Sequence, residues 1–168
     1  MEIRELLLPE FDAEMQRTRT TLERIPEDKP DYKPHEKSMA MGRLAMHVAT
    51  LPLFMKYILT SPSFDIAKGS DHPDLTFVSH EKLMAAFEQH TANARALLEK
   101  ATNEDLLTPW KFSFGEYVIS NESRALTYRT LFLNHLIHHR AQLGVYLRLN
   151  NLPVPAIYGP SADDRMGL

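Results

Sequence analysis

Residues 121–150 read NESRALTYRTLFLNHLIHHRAQLGVYLRLN, and this stretch decides the fold. On a wheel at 100° per residue, Tyr128, Leu131, Phe132, Leu143, Tyr146 and Leu149 share one arc, which predicts an amphipathic helix from near Asn121 to about Asn150. His135 and His139 point near the middle of that arc, and His138 points toward its edge. Four residues of helix separate the first two by about 6 Å along the axis, close enough for both imidazoles to meet one ion. A buried neutral imidazole can equally be satisfied by hydrogen bonds, so the pair alone does not decide between ligand and core residue.

Working outward, three more helices are predicted. Leu7, Phe11, Met15, Thr18, Leu22 and Ile25 recur at intervals of three and four, giving a first helix that ends before Pro26. The stretch PEDKPDYKPHEK, residues 26–37, has three prolines and alternating charge, the composition of an extended connector. Ser38 then offers an N-cap for a second helix reaching about Thr60, with Ala40, Leu44, His47, Val48, Leu51, Phe54, Met55 and Ile58 on one side. Pro52 lies inside it, removes the hydrogen bond to the Val48 carbonyl and kinks it one turn beyond His47. His80, Leu83, Phe87, His90, Ala94, Leu97 and Leu98 mark a third helix from about Phe77 to Ala101. Long loops join these helices: residues 61–76 are rich in Pro, Gly, Ser and Asp, and residues 103–120 fit either a loop or a short hairpin. Pro153 and Pro155 enforce an extended C-terminal tail. The expectation is one domain over residues 1–168, an all-α four-helix bundle.

Composition narrows the chemistry. The 168 residues carry a net charge of -3 with 19 basic side chains spread along the chain, so no basic stripe points to nucleic acid. No apolar run approaches the roughly 18 residues of a membrane span, and the acidic N-terminus is unlike a signal peptide, which places the protein in the cytoplasm as an expectation. There is no cysteine, so any metal must be held by histidine or carboxylate. His47 projects into the apolar side of the second helix, where an unpartnered ring is costly. Three inward histidines on two helices, His47, His135 and His139, therefore suggest one shared divalent ion. Three imidazole ligands leave a position open for water or substrate, the pattern of a catalytic zinc site, and imidazole also suits nickel, iron or manganese. His35 and His72 read as solvated loop residues, while His80 and His90 read as packing residues, with His80 an outside candidate. Gln142 reads either as an orienting group beside a ligand or as a buried amide satisfied by another helix.

These residues resemble the DinB/YfiT-like family of metal-binding four-helix bundles, whose hallmark is a histidine on the second helix and an HxxHHRxQ motif on the fourth. Here the motif reads HLIHHRAQ, His135 to Gln142. The resemblance extends through TLERIPEDKPDYKPHEKSM and GRLAMHVATLP to HHRAQLGVYLRLNNLPVPAIYGPSADD, with Ala141 standing where a glycine is usual. It implies His47, His135 and His139 as ligands, with His138 and Arg140 in the motif but away from the ion. It further implies a homodimer and, for members acting as thiol S-transferases or isomerases, activation of a low-molecular-weight thiol. A metal-dependent hydrolase, a noncatalytic stress-response module and a metal-free interaction protein are the competing expectations. Tyr158 and Arg140 are expected to be structural before they touch substrate. Leu126, Leu133, Ile137 and Gly144 form a second stripe opposite His135, to be covered by a second copy, by residues 103–120 or by the C-terminal tail.

Overall fold

The computed structural model describes residues 1–68 and 73–165, so His72 lies outside the described residues. Helix α1 spans Ile3–Leu22, and its stripe of Leu7, Phe11, Met15, Thr18 and Leu22 is buried as its spacing requires. The second predicted helix is broken into α2 (Met41–Thr50) and α3 (Phe54–Thr60) by a 3-10 turn at Leu51–Leu53, with Pro52 at its start. The missing proline donor thus produces a tighter turn, not a smooth bend. The cap is Ala40, not Ser38. Helix α4 spans His80–Lys100 and is capped by Ser79, whose hydroxyl accepts from the Lys82 backbone N–H at 3.2 Å. A short α5 covers Asn103–Leu107.

The fourth predicted helix departs most from its wheel. It consists of α6 (Arg124–Thr127), a π-helical stretch (Tyr128–Leu133) and α7 (Asn134–Leu149). A π turn holds more residues than an α turn, so side chains beyond it rotate away from a wheel drawn at constant pitch. Leu149, placed on the apolar arc, is 54% exposed, whereas Leu136 and Leu147 are buried. Leu133, placed on the opposite stripe, is 2% exposed and belongs to the chain's own core. Gly144 faces Val154 of the C-terminal tail, whose Cγ1 a Cβ at residue 144 would meet at 3.9 Å, and Ile137 shares an apolar groove with Pro155 and Ile157. The tail thus lies beside Gly144 and Ile137, while Leu126 is 45% exposed.

The chain is not all-α. Residues 103–120, open between loop and hairpin, hold the start of an antiparallel pair, β2 (Pro109–Phe114) and β3 (Tyr117–Ser123), turning at Gly115 with φ of 58°. Strand β1 (Ser63–Asp65) pairs parallel to β2 inside the segment expected to be loop, giving the order β1-β2-β3. Alternating aromatics explain the hairpin, since Trp110 and Phe112 point inward along β2. β1 is only three residues long and exists through its pairing with β2.

Helices α1, α4, α2 and α7 pack in a ring, each against the next, with α7 closing on α1. The connector between α1 and α2 is pinned rather than loose: Gly42 N–H donates to the Pro30 carbonyl, Met41 N–H to Tyr32, and Tyr146 Oη to Met39. Gly42 allows this approach, because a Cβ there would lie 2.7 Å from Cβ of Phe77 and 2.9 Å from Cβ of Pro30. The connector and Phe77 are thereby held over the N-terminal end of α2, whose last turn carries His47.

Candidate metal centre

His47 reaches inward from α2, and His135 and His139 reach toward it from adjacent turns of α7. Nε2 of His135 lies 2.8 Å from Nε2 of His139 and 3.4 Å from Nε2 of His47. The three ligand atoms fall within 4.8 Å of one another, and theirs is the one such group of metal-binding side chains among the described residues. Nitrogens about 2.0 to 2.1 Å from a common ion stand about 3.3 Å apart in a tetrahedron and about 2.9 Å apart when cis in an octahedron. The His135–His139 and His135–His47 separations lie within about 0.1 Å of those two values.

Hydrogen bonding decides which nitrogen faces the centre. Nδ1–H of His139 donates to Oε1 of Gln142 at 2.7 Å, and the ring of His135 is bonded to the Leu131 carbonyl. Nδ1 of His139 carries its proton, so its Nε2 presents a lone pair to Nε2 of His135; with the His135 proton given to Leu131, two lone pairs meet at 2.8 Å and repel unless a cation lies between them. A proton shared between the rings would meet the same need. Burial argues against that charge, because it lowers the pKa of all three rings. His47 falls from 6.5 to about 4, chiefly by desolvation and then by the positive charge of His139, His135 and Arg43. His135 is lowered by desolvation and by His139, and His139 by desolvation, with the Gln142 bond partly offsetting it. Three neutral imidazoles with converging lone pairs form a donor set that fits a divalent ion.

The other candidates are elsewhere. His138 is exposed on the outer side of α7, and His35 is exposed on the connector. Nε2 of His80 contacts the Leu22 carbonyl at 3.2 Å, which makes it a packing residue between α1 and α4. Gln142 is the orienting group, not a detached buried amide. Arg140 is structural: it is 3% exposed, it bonds the Glu14 carbonyl and the Thr18 hydroxyl at 3.1 Å each, and it pairs with the Glu14 carboxylate at 2.7 Å. Its guanidinium also donates to Tyr158 Oη at 2.7 Å, which in turn donates to Glu14 at 2.8 Å, tying the C-terminal tail to α1 and α7. Glu14 was not singled out from the sequence. Its position three residues after Phe11 and seven after Leu7, inside the apolar stripe, is the signal that an acid there must be buried and paired.

His47 and His135 open onto a cleft of ≈1510 Å³, walled by α2, the connector and the sheet. The centre therefore has a route for a small molecule on one side and the packed bundle on the other. Arg43, one turn before His47 and lining the same cleft, was also missed from the sequence, where it reads as an exposed helix residue.

The model of the DinB family matches residues 2–166. Among solved structures, a DinB-like protein from Bacillus subtilis is 24% identical, with 88% of this chain and 96% of that one covered and a TM-score of 0.67. A DinB-like protein from Bacillus cereus is 21% identical, with 94% and 98% covered and a TM-score of 0.70. These likenesses concern the fold. No curated protein matches the chain.

Proposed function

The chain belongs to the DinB family, and from that premise we propose that His47, His135 and His139 hold one divalent ion, zinc or nickel, in an enzyme of the thiol S-transferase type. The observation that carries this reading is the convergence of the three rings, with His139 oriented through Nδ1 by Gln142 and His135 bonded to the Leu131 carbonyl. Such an ion supplies Lewis acidity that makes a thiol or water acidic near neutral pH. The chain's own residues do the rest. Gln142 and the Leu131 carbonyl hold the rings of His139 and His135, the bundle core excludes water from behind, and the cleft admits a low-molecular-weight thiol and its acceptor from the front. The choice of thiol transfer over hydrolysis is supported by the resemblance of HLIHHRAQ to the family motif, and the open cleft supports a catalytic over a purely structural ion. The test is metal analysis of untagged protein, followed by thiol conjugation to an electrophile with and without the bound ion. Absence of stoichiometric metal after exposure to zinc or nickel overturns the centre. Metal-bound protein that hydrolyses esters but conjugates no thiol overturns the reaction type alone.

A further inference from the structure

The cleft is graded along α2. Arg43, His47, Thr50 and Phe54 follow one another at helical intervals, and all four line it. One turn, about 6 Å, separates Arg43 from His47, and about 10 Å separates His47 from Phe54. Beyond Phe54 the wall is aromatic. Phe54 and Phe64 have ring centroids 5.9 Å apart, Phe64 and Phe112 are stacked at 6.2 Å, and Phe112 is stacked on the buried Trp110 at 6.1 Å. Phe54 and Phe64 are only half-buried, so their faces are available from the cleft. Lys33 and Lys37 of the connector line the same cleft as Arg43, and among the described residues Asp31 and Asp74 are the acids of the lining. Among the described residues Arg43, Lys33 and Lys37 form no ion pair, whereas Arg17, Arg19, Arg24, Arg95, Arg129, Arg140 and Arg148 each pair with a carboxylate. On a chain of net charge -3, the described residues of this lining include three cations, Lys33, Lys37 and Arg43, beside Asp31 and Asp74.

We propose that the cleft binds an amphipathic organic acid. Its carboxylate pairs with Arg43, its flat apolar body lies on the wall of Phe54, Phe64 and Phe112, and its middle passes the histidines. The proposal deepens the reading of the site as a metal enzyme by naming a substrate class, and it rests on that reading only for what happens at the middle. Eleven residues, interrupted by the Leu51–Leu53 turn, separate Arg43 from Phe54, a rise of about 16 Å; with several ångströms of that taken up by the long arginine and the ring, a ligand of about 10 Å spans the two. That is the length of a phenyl ring on a chain of four methylenes and a carboxylate.

The probe is therefore 5-phenylpentanoate, with 5-phenylpentan-1-ol as its neutral counterpart. Calorimetry reads the affinity, and the fluorescence of Trp110, the single tryptophan, reports occupancy of the wall it backs. The acid is expected to bind about tenfold more tightly than the alcohol, the range of a charge-assisted contact at a partly exposed site. Arg43→Gln removes that preference and leaves the affinity for the alcohol unchanged. Phe54→Ala, or Phe64→Ala if the first variant folds poorly, weakens both about fivefold and keeps their ratio. Equal binding of acid and alcohol to the wild type overturns the proposal, as does a preference that survives Arg43→Gln. If that preference instead vanishes on metal removal, the carboxylate is an ion ligand and the Arg43 assignment is wrong. Metal content is measured on the same samples. A protein that takes no metal yet keeps the Arg43-dependent preference refutes the metal centre and leaves the cleft assignment standing.

Discussion

Acidifying the metal-loaded protein tests the centre most directly. Free imidazoles titrate near 6.5, so at about pH 5 each is neutral in only about 3% of molecules. Three such ligands would weaken metal binding about 3×10⁴-fold between about pH 8 and pH 5. Burial changes this figure. His47, lowered to about 4, is still about 90% neutral at pH 5 and contributes almost nothing to the loss. His135 and His139 are lowered too, so each contributes less than the roughly 30-fold of a free ring. The expected loss is therefore below about 10³-fold, with the steep decline displaced toward pH 4. Competition against a chromophoric chelator at a series of pH values measures it. A loss of 10⁴-fold or more by pH 5 would show the rings titrating as in water and refute the buried, pre-neutralised site; an affinity unchanged down to about pH 3 would refute histidine ligation altogether. The same shift acts on the metal-free fold. A folded-state pKa below the unfolded one means that the unfolded chain binds more protons between about pH 6.5 and 4, so stability falls as pH drops through that window. For His47 the loss is about 2 kcal/mol after allowance for partial exposure.

Other outcomes follow from particular contacts. Gln142→Leu removes the acceptor for Nδ1–H of His139 and should lower metal affinity about 10- to 100-fold, with the thermal midpoint of the metal-free protein little changed. His138→Ala should leave metal content at the wild-type level, since its ring is on the exposed side of α7. Glu14→Leu strands Arg140 in the core and should cost about 3 kcal/mol in urea denaturation; adding Arg140→Met should recover part of it, because no buried charge is then left unpaired. Gly42→Ala should destabilise by about 1 to 3 kcal/mol through collision with Phe77 and Pro30, and a neutral result by calorimetry would mean that the connector moves freely. Leu133→Glu should unfold the protein, not merely dissociate it, as circular dichroism would show, because Leu133 is inside the bundle.

What the sequence determined by itself is the set of properties that depend on local periodicity. The spacing of Leu7, Phe11, Met15 and Leu22 in α1, and of Leu83, Phe87, Ala94 and Leu98 in α4, is a helical repeat that needs no partner to be recognised, and those residues are buried. The interval between His135 and His139 likewise puts both on one side of one helix, and His47 stands on the inward side of another. That these sides face the same point was an inference from apolarity, and packing of α2 against α7 is what brings the Nε2 atoms together. Tertiary structure alone decided the remainder, because it depends on long-range contacts or on departures from constant pitch. β1 is three residues that become a strand through pairing with β2, nearly fifty positions later. Leu133, the last residue of the π-helical stretch, is in the core, and Leu149, the last residue of α7, is out. Arg43 is exposed in the structure too, and only the connector and the sheet make the surface it stands on the wall of a cleft; the burial of Arg140 depends on Glu14 and Tyr158, more than a hundred residues apart in the chain. A periodic pattern records which side of an element is apolar, whereas the partner that covers that side is chosen by the free energy of the whole packed chain.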